Sequence, residues 1–83
     1  MSTGLVFGDE IRCSVSDGKA TALYCTDSSG SMSGKISITA FNENGSRTNS
    51  SFCIGVGVAV MGCSELCSIN VSEDSMYCDA VAD

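Results

Sequence analysis

Residues 52–67 read FCIGVGVAVMGCSELC, and this stretch decides between two folds. In one interpretation apolar residues alternate with small ones, a period of two that is typical of a buried strand; the apolar set is Ile54, Val56, Val58 and Val60. In the other, a helical stripe with Ser50 or Ser51 as its N-cap runs through Phe52, Val56, Val60, Cys63 and Cys67. Glycines inside that helix would each cost about 1 kcal/mol, which cysteines anchored onto a sheet would offset. We predict the helix, over residues 52–66.

The segment that precedes this stretch has the pattern of a β-hairpin. An alternating strand, the two-residue turn Asp17-Gly18 and a return strand make up residues 11–25. The register places Cys13 opposite Ala22, and it places Cys25 on the other face, roughly 10 Å away. Cys13 and Cys25 should therefore not form a disulfide with each other. A short helix in place of the second strand is the alternative.

The remaining elements are more weakly patterned. We predict a Ser/Gly/Asp loop, a strand, a turn with the type I′ pair Asn44-Gly45, a polar loop or solvated edge, and a hairpin around Glu73-Asp74; these cover residues 26–34, 35–41, 42–45, 46–51 and 68–81. Leu5, Val6 and Phe7 would add an edge strand or cover one end of the core.

Together these elements predict one α+β domain over residues 1–83. Its core is an antiparallel sheet of about four strands, and one or two short helices pack on that sheet. An all-β sandwich is the alternative.

Six cysteines in 83 residues predict three disulfides, because a chain of this length buries too small a core to be stable without cross-links. They are Cys13, Cys25, Cys53, Cys63, Cys67 and Cys78. A zinc site is disfavoured, since only Cys63 and Cys67 have a ligand-like spacing and the chain has no histidine. Sequence alone does not choose among the fifteen possible pairings.

The same cysteines indicate an oxidising compartment, and we expect a secreted, extracellular protein. Asn44, Asn49 and Asn70 each begin an N-x-[ST] glycosylation motif, which points to the same route. The first residues, Met1 to Gly4, lack the basic and apolar regions of a secretory signal, so we expect the mature form of the chain.

A formal net charge of −6 limits the classes of partner that the protein is expected to bind. That sign repels phosphate backbones, so we expect no nucleic-acid binding, and it disfavours action on anionic membranes. The longest apolar run, residues 52–61, is shorter than the ~18 residues of a membrane-spanning helix. We expect a monomer.

Residues 27–34, DSSGSMSG, resemble the D-x-S-x-S metal-ion motif of von Willebrand factor A domains. The resemblance implies that Asp27, Ser29 and Ser31 would supply oxygen ligands to a magnesium ion. It covers about eight residues, and the alternating residues 35–39 predict a strand where that family has a helix. We therefore predict a surface loop without a metal or other cofactor.

Catalysis is disfavoured by the residue inventory. Without histidine, Ser–His and Cys–His nucleophile pairs cannot form, and most carboxylates occupy turn positions. Gly55, Gly57 and Gly62 lack the spacing of a phosphate-binding loop and are interpreted as close-packing sites. We expect that the protein is not an enzyme.

In size, cysteine count and loop-rich layout the chain resembles the small secreted cysteine-rich proteins of fungi, which act as effectors toward plant hosts or as killer toxins. The resemblance implies a disulfide-linked binding module that recognises a host protein, through loops that we place at residues 26–34 and 42–51. One alternative is a killer-toxin-like protein acting on target-cell membranes or channels, with residues 52–61 as its working part. A second alternative is an enzyme inhibitor that presents one rigid loop.

Overall fold

The computed structural model describes residues 10–83, and in that part of the chain it contains six β-strands and no helix. The strands are β1 (Glu10–Ser16), β2 (Lys19–Thr26), β3 (Gly30–Phe41), β4 (Arg47–Ala59), β5 (Gly62–Asn70) and β6 (Tyr77–Ala82). The possible edge strand at Leu5, Val6 and Phe7 lies outside the described residues.

The strands form two antiparallel sheets of three strands each, in the orders β1-β2-β5 and β4-β3-β6. We call these the first and the second sheet. Their inner faces pack together, with β1 near β6 along one edge and β4 near β5 along the other. The predicted α+β class is therefore wrong, whereas the alternative all-β sandwich is close to what is observed.

The β1–β2 hairpin agrees with the sequence prediction. Asp17 and Gly18 form its turn with φ values of 53° and 74°, the left-handed conformation that a two-residue hairpin turn requires. Cys13 lies opposite Ala22, as the register predicts. The alternative, a short helix in place of the second strand, is wrong.

The helix predicted over residues 52–66 is wrong, because β4 and β5 occupy this stretch. Gly55 and Gly57 face the inside of the sandwich and leave room for side chains from β3 and β5. A Cβ at Gly55 would lie 3.0 Å from Ile36 Cγ1, and one at Gly57 would lie 3.2 Å from Leu66 Cδ2. These two glycines are close-packing sites. Because they have no side chains, β4 can pack closely against the core.

Gly62 has a different role from the one predicted for it. No atom lies within 4 Å of the place where its Cβ would be, so it is not a close-packing site. Its φ of +144° is one that residues with a side chain rarely adopt. The glycine is therefore needed for the backbone path into β5.

The hairpin predicted around Glu73-Asp74 is also wrong. Strand β5 pairs with β2 in the first sheet, and β6 pairs with β3 in the second, so residues 71–76 connect two sheets. Local alternation identifies a strand, but it does not identify the strand that pairs with it.

Two predicted loop regions are shorter or differently built than expected. The loop placed at residues 26–34 is reduced to residues 27–29, because β3 begins at Gly30. A type I′ turn requires a positive φ at both central residues, but in this turn only Gly45 has one, at 84°. Asn44-Gly45 is therefore not a type I′ pair. Instead the Asn42 side chain holds the turn, since its Oδ1 accepts hydrogen bonds from the backbone N–H groups of Asn44 and Ser46 at 2.9 and 3.0 Å.

The buried core is made mainly of small residues. It comprises Ala20, Ala22, Ile36, Ile38, Ala40 and Cys78. Ile36 and Ile38 are the largest side chains that are fully buried among the described residues. Because alanines contribute little apolar area, such a core alone leaves a small margin of stability.

All six cysteines are paired, which confirms the three predicted disulfides. Cys13–Cys78 joins β1 to β6, and Cys53–Cys67 joins β4 to β5. Cys25–Cys63 lies within the first sheet, between β2 and β5. The sandwich is thus closed at one open edge by Cys13–Cys78 and at the other by Cys53–Cys67. As predicted, Cys13 and Cys25 do not pair with each other.

A β-bulge in β5 determines which cysteines can meet. Ala22 pairs with Cys67 and Leu23 with Glu65, so Leu66 is an extra residue in β5. Without the extra residue, the side chains of Cys63 and Cys67 would point to the same face of the sheet. With it, they point to opposite faces. Cys63 therefore bonds within its own sheet, whereas Cys67 reaches across to the second sheet.

Candidate functional site

The outer face of the second sheet carries a continuous row of exposed apolar side chains, which we call the apolar strip. Four of its members are alternate residues of β4, and two follow where the chain crosses to β5. They are Phe52, Ile54, Val56, Val58, Val60 and Met61. Each is between 54% and 77% exposed. Monomeric soluble proteins rarely expose contiguous apolar patches of this kind, and such patches often mark interaction sites.

The strip faces outward because only small side chains fit on the inner face of β4. Successive side chains of a strand point to opposite faces. The inward positions are Cys53, Gly55, Gly57 and Ala59. Leu66 and Ile36 fill the space beside these small residues, so the larger apolar side chains of β4 are left on the solvent side.

The neighbouring strand gives the strip a polar border. On β3, the residues paired with Phe52, Ile54, Val56 and Val58 are Ser37, Lys35, Ser33 and Ser31. Lys35 Nζ lies 4.4 Å from the centroid of the Phe52 ring, a cation–π contact. The strip is therefore one strand wide and is bounded along this side by hydroxyl groups and one ammonium group.

Met61 is the most exposed member of the strip, at 77%, and its backbone is unusual. Its φ of 50° lies in the left-handed region, which costs a residue with a long side chain roughly 1–2 kcal/mol. Gly, Asn or Asp would adopt this conformation more readily. The chain therefore holds a large apolar side chain in water on a strained backbone, a combination typical of functional positions.

Acidic residues are distributed away from the strip. The sequence has no Asp or Glu between Glu43 and Glu65, although the chain has ten. Asp17, Glu43, Glu73 and Asp74 lie in turns and connections at the far end of the sandwich. Asp27 and Asp83 are exceptions. The connection 27–29 lies at the same end as Met61, and Asp83 Oδ2 accepts a hydrogen bond at 3.0 Å from the hydroxyl of Ser37, which pairs with Phe52. The net charge of −6 thus leaves most of the strip without a neighbouring carboxylate.

The residues of the metal-motif resemblance do not form one loop. Asp27 and Ser29 lie in the short connection between β2 and β3, whereas Ser31 is within β3 and pairs with Val58 beside the strip. In residues 10–83, no group of three or more His, Cys, Asp or Glu side chains is placed to hold a metal ion.

The three glycosylation motifs lie at the end of the sandwich opposite Met61. Asn44 is exposed in the β3–β4 turn, and Asn70 is exposed at the end of β5. Asn49 Nδ2 donates a hydrogen bond to the Asn70 carbonyl oxygen at 3.1 Å, which links the adjacent edges of the two sheets. Glycosylation at these positions stays a prediction.

The sequence identifies residues 52–61 as a candidate working part, but it does not predict which of their side chains are exposed. Alternation of apolar and small residues is typical of a buried strand, whereas β4 buries only the small ones. The glycines and the alanine at every second position were the signal that the small side faces inward.

Comparison of the chain with known protein families, curated proteins and solved structures finds no match in any of the three. Within the described residues, no helix is long and apolar enough to span a bilayer.

Proposed function

We propose that this is a secreted, non-enzymatic, toxin-like protein that acts on the membranes of target cells through the apolar strip. The observation that carries the proposal is the strip itself, and above all Met61, which exposes a large apolar side chain at the end of the sandwich. Three disulfides in a small domain are consistent with an extracellular site of action.

The area of the strip is sufficient for binding to a bilayer surface. Taking about 150 Å² for each side chain, the exposed fractions correspond to roughly 600 Å² of apolar surface. At about 25 cal/mol per Å², transfer of the whole strip into hydrocarbon would contribute on the order of 15 kcal/mol before the costs of binding. Partial insertion of Val58, Val60 and Met61 would retain a useful part of that gain.

The position of the carboxylates removes the main objection to membrane action. A net charge of −6 disfavours contact with anionic lipid, but most acidic side chains lie away from the strip. We therefore expect a preference for electrically neutral lipid, with binding that weakens as anionic lipid is added.

The host-protein hypothesis depends on loops at residues 26–34 and 42–51, and both loops are shorter in the structure than the sequence predicts. Only residues 27–29 and 42–46 lie outside the strands in these two regions. The fungal-effector and enzyme-inhibitor functions stay predictions from the resemblance alone, and no described contact favours either.

Dye leakage from vesicles of neutral phosphatidylcholine tests the proposal with a matched pair of variants. Val58 and Val81 are each 58% exposed and both lie on the outer face of the second sheet, but only Val58 belongs to the strip. We expect leakage by the wild type, a several-fold loss in Val58→Ser, and no change in Val81→Ser. Absence of leakage by the wild type, or equal effects of the two substitutions, would reject the proposal.

A further inference from the structure

We infer that in water the apolar strip is covered by the strip of a second copy, so that the protein is a symmetric dimer before it meets any membrane. This goes beyond the proposed function, since it concerns the chain in the absence of lipid. It differs from the monomer that we expect from the sequence, and it rests on the area, charge and shape of the strip.

The area of the strip matches what a small specific interface requires. Roughly 600 Å² on each copy gives about 1,200 Å² in total, the lower limit for stable protein–protein contacts. Interfaces of this size give dissociation constants on the order of micromolar unless they contain strong anchoring residues. A monomer would instead leave this surface in water along an edge strand, the arrangement that promotes uncontrolled association.

The charge distribution permits two copies of a chain of net charge −6 to meet at this face. The strip contains no charged residue, and of the β3 residues that pair with its β4 members only Lys35 is charged. Strip-to-strip contact therefore brings apolar groups together and keeps most carboxylates outside. Repulsion between the two net charges acts over a distance and is screened by salt.

The order of side chains along the strip suits an antiparallel two-fold contact. With the axis between Val56 and Val58, Val56 faces the second copy's Val58, and Ile54 faces its Val60. The two ends of the strip then lie beside each other across the contact. Every member of the strip thus meets apolar side chains of the second copy, which a self-complementary interface requires.

Sedimentation velocity without lipid tests the inference across the micromolar range. We expect a species of twice 8.5 kDa that dissociates on dilution. Raising the salt concentration should lower the dissociation constant several-fold, because screening reduces repulsion between like net charges. A monomer at every concentration, or open-ended aggregates in place of a dimer, would overturn the inference.

Substitutions locate the interface. Val56 is 70% exposed at the centre of the strip, so Val56→Asp should leave the fold intact and give a monomer. Ile54→Lys provides a second variant of opposite charge, and Val81→Asp is the matched control that should remain dimeric. Disulfide mapping of each variant confirms its fold. A dimer that persists in both strip variants would show that the strip is not the interface.

The two proposals fail separately. A wild-type dimer that causes no vesicle leakage retains the dimer and rejects membrane action. A monomer that does cause leakage rejects the dimer and retains membrane action.

Discussion

Leu66 of β5 packs directly on the backbone of β4 at Gly55, so closely that a Cβ added there would lie 3.4 Å from the Leu66 Cβ. Two features make this contact possible. The bulge in β5 turns Leu66 toward the second sheet, and Gly55 leaves the space that Leu66 occupies. The contact holds β4 against the core with its larger side chains outward, and it therefore determines where the apolar strip lies.

Gly55→Ala should destabilise the protein more than Gly57→Ala. The new methyl group at residue 55 would lie 3.0 Å from Cγ1 of Ile36, which is fully buried. At residue 57 it would meet only the end of the partly buried Leu66 side chain, at 3.2 Å. We expect a loss of about 1–3 kcal/mol for Gly55→Ala and a smaller effect for Gly57→Ala, measured by urea unfolding. Equal losses would contradict the close packing at Gly55.

Removal of the Cys13–Cys78 disulfide should cost more stability than removal of Cys53–Cys67. Both connect the two sheets, but their partners are 65 and 14 residues apart in sequence. The longer loop restricts the unfolded chain more, by about 1 kcal/mol in the chain-entropy account. Paired alanine substitutions compared by urea unfolding measure this difference. A larger loss from the shorter loop would show that strand packing, not chain entropy, sets the ranking.

Met61→Asn should separate stability from function. Asparagine tolerates the left-handed conformation, so we expect the free energy of unfolding to stay the same or to rise by up to about 1 kcal/mol. Vesicle leakage should nevertheless fall several-fold, because the most exposed apolar side chain is lost. Met76→Asn is the matched control, since Met76 is 63% exposed and lies outside the strip. Equal leakage by the two variants would contradict a role for Met61.

Elements whose strands are adjacent in sequence were predictable. The β1–β2 hairpin follows from alternation on both sides of Asp17-Gly18, and its register alone excluded a Cys13–Cys25 disulfide. Local signals were enough there because both pairing partners lie within a few residues of the turn.

Elements that depend on distant contacts were not predictable. A helical stripe and a strand alternation both fitted residues 52–66, and the choice rests on Ile36 and Leu66, which fill the space beside two glycines. The bulge at Leu66 places Cys63 and Cys67 on opposite faces, and no sequence pattern marked it. The exposure of the apolar strip follows from the same contacts. The sequence therefore identifies the segment that forms the candidate site, but it does not identify which of its side chains face the solvent.

Because the chain contains no tryptophan, a single introduced tryptophan tests membrane contact by the strip most directly. Val58→Trp and Val81→Trp place the reporter at positions of equal exposure on the same face of the second sheet. With vesicles of neutral phosphatidylcholine whose acyl chains carry bromine, we expect strong quenching of the tryptophan at residue 58 and little at residue 81. Quenching of neither reporter, or of both equally, would contradict insertion of the apolar strip into the bilayer.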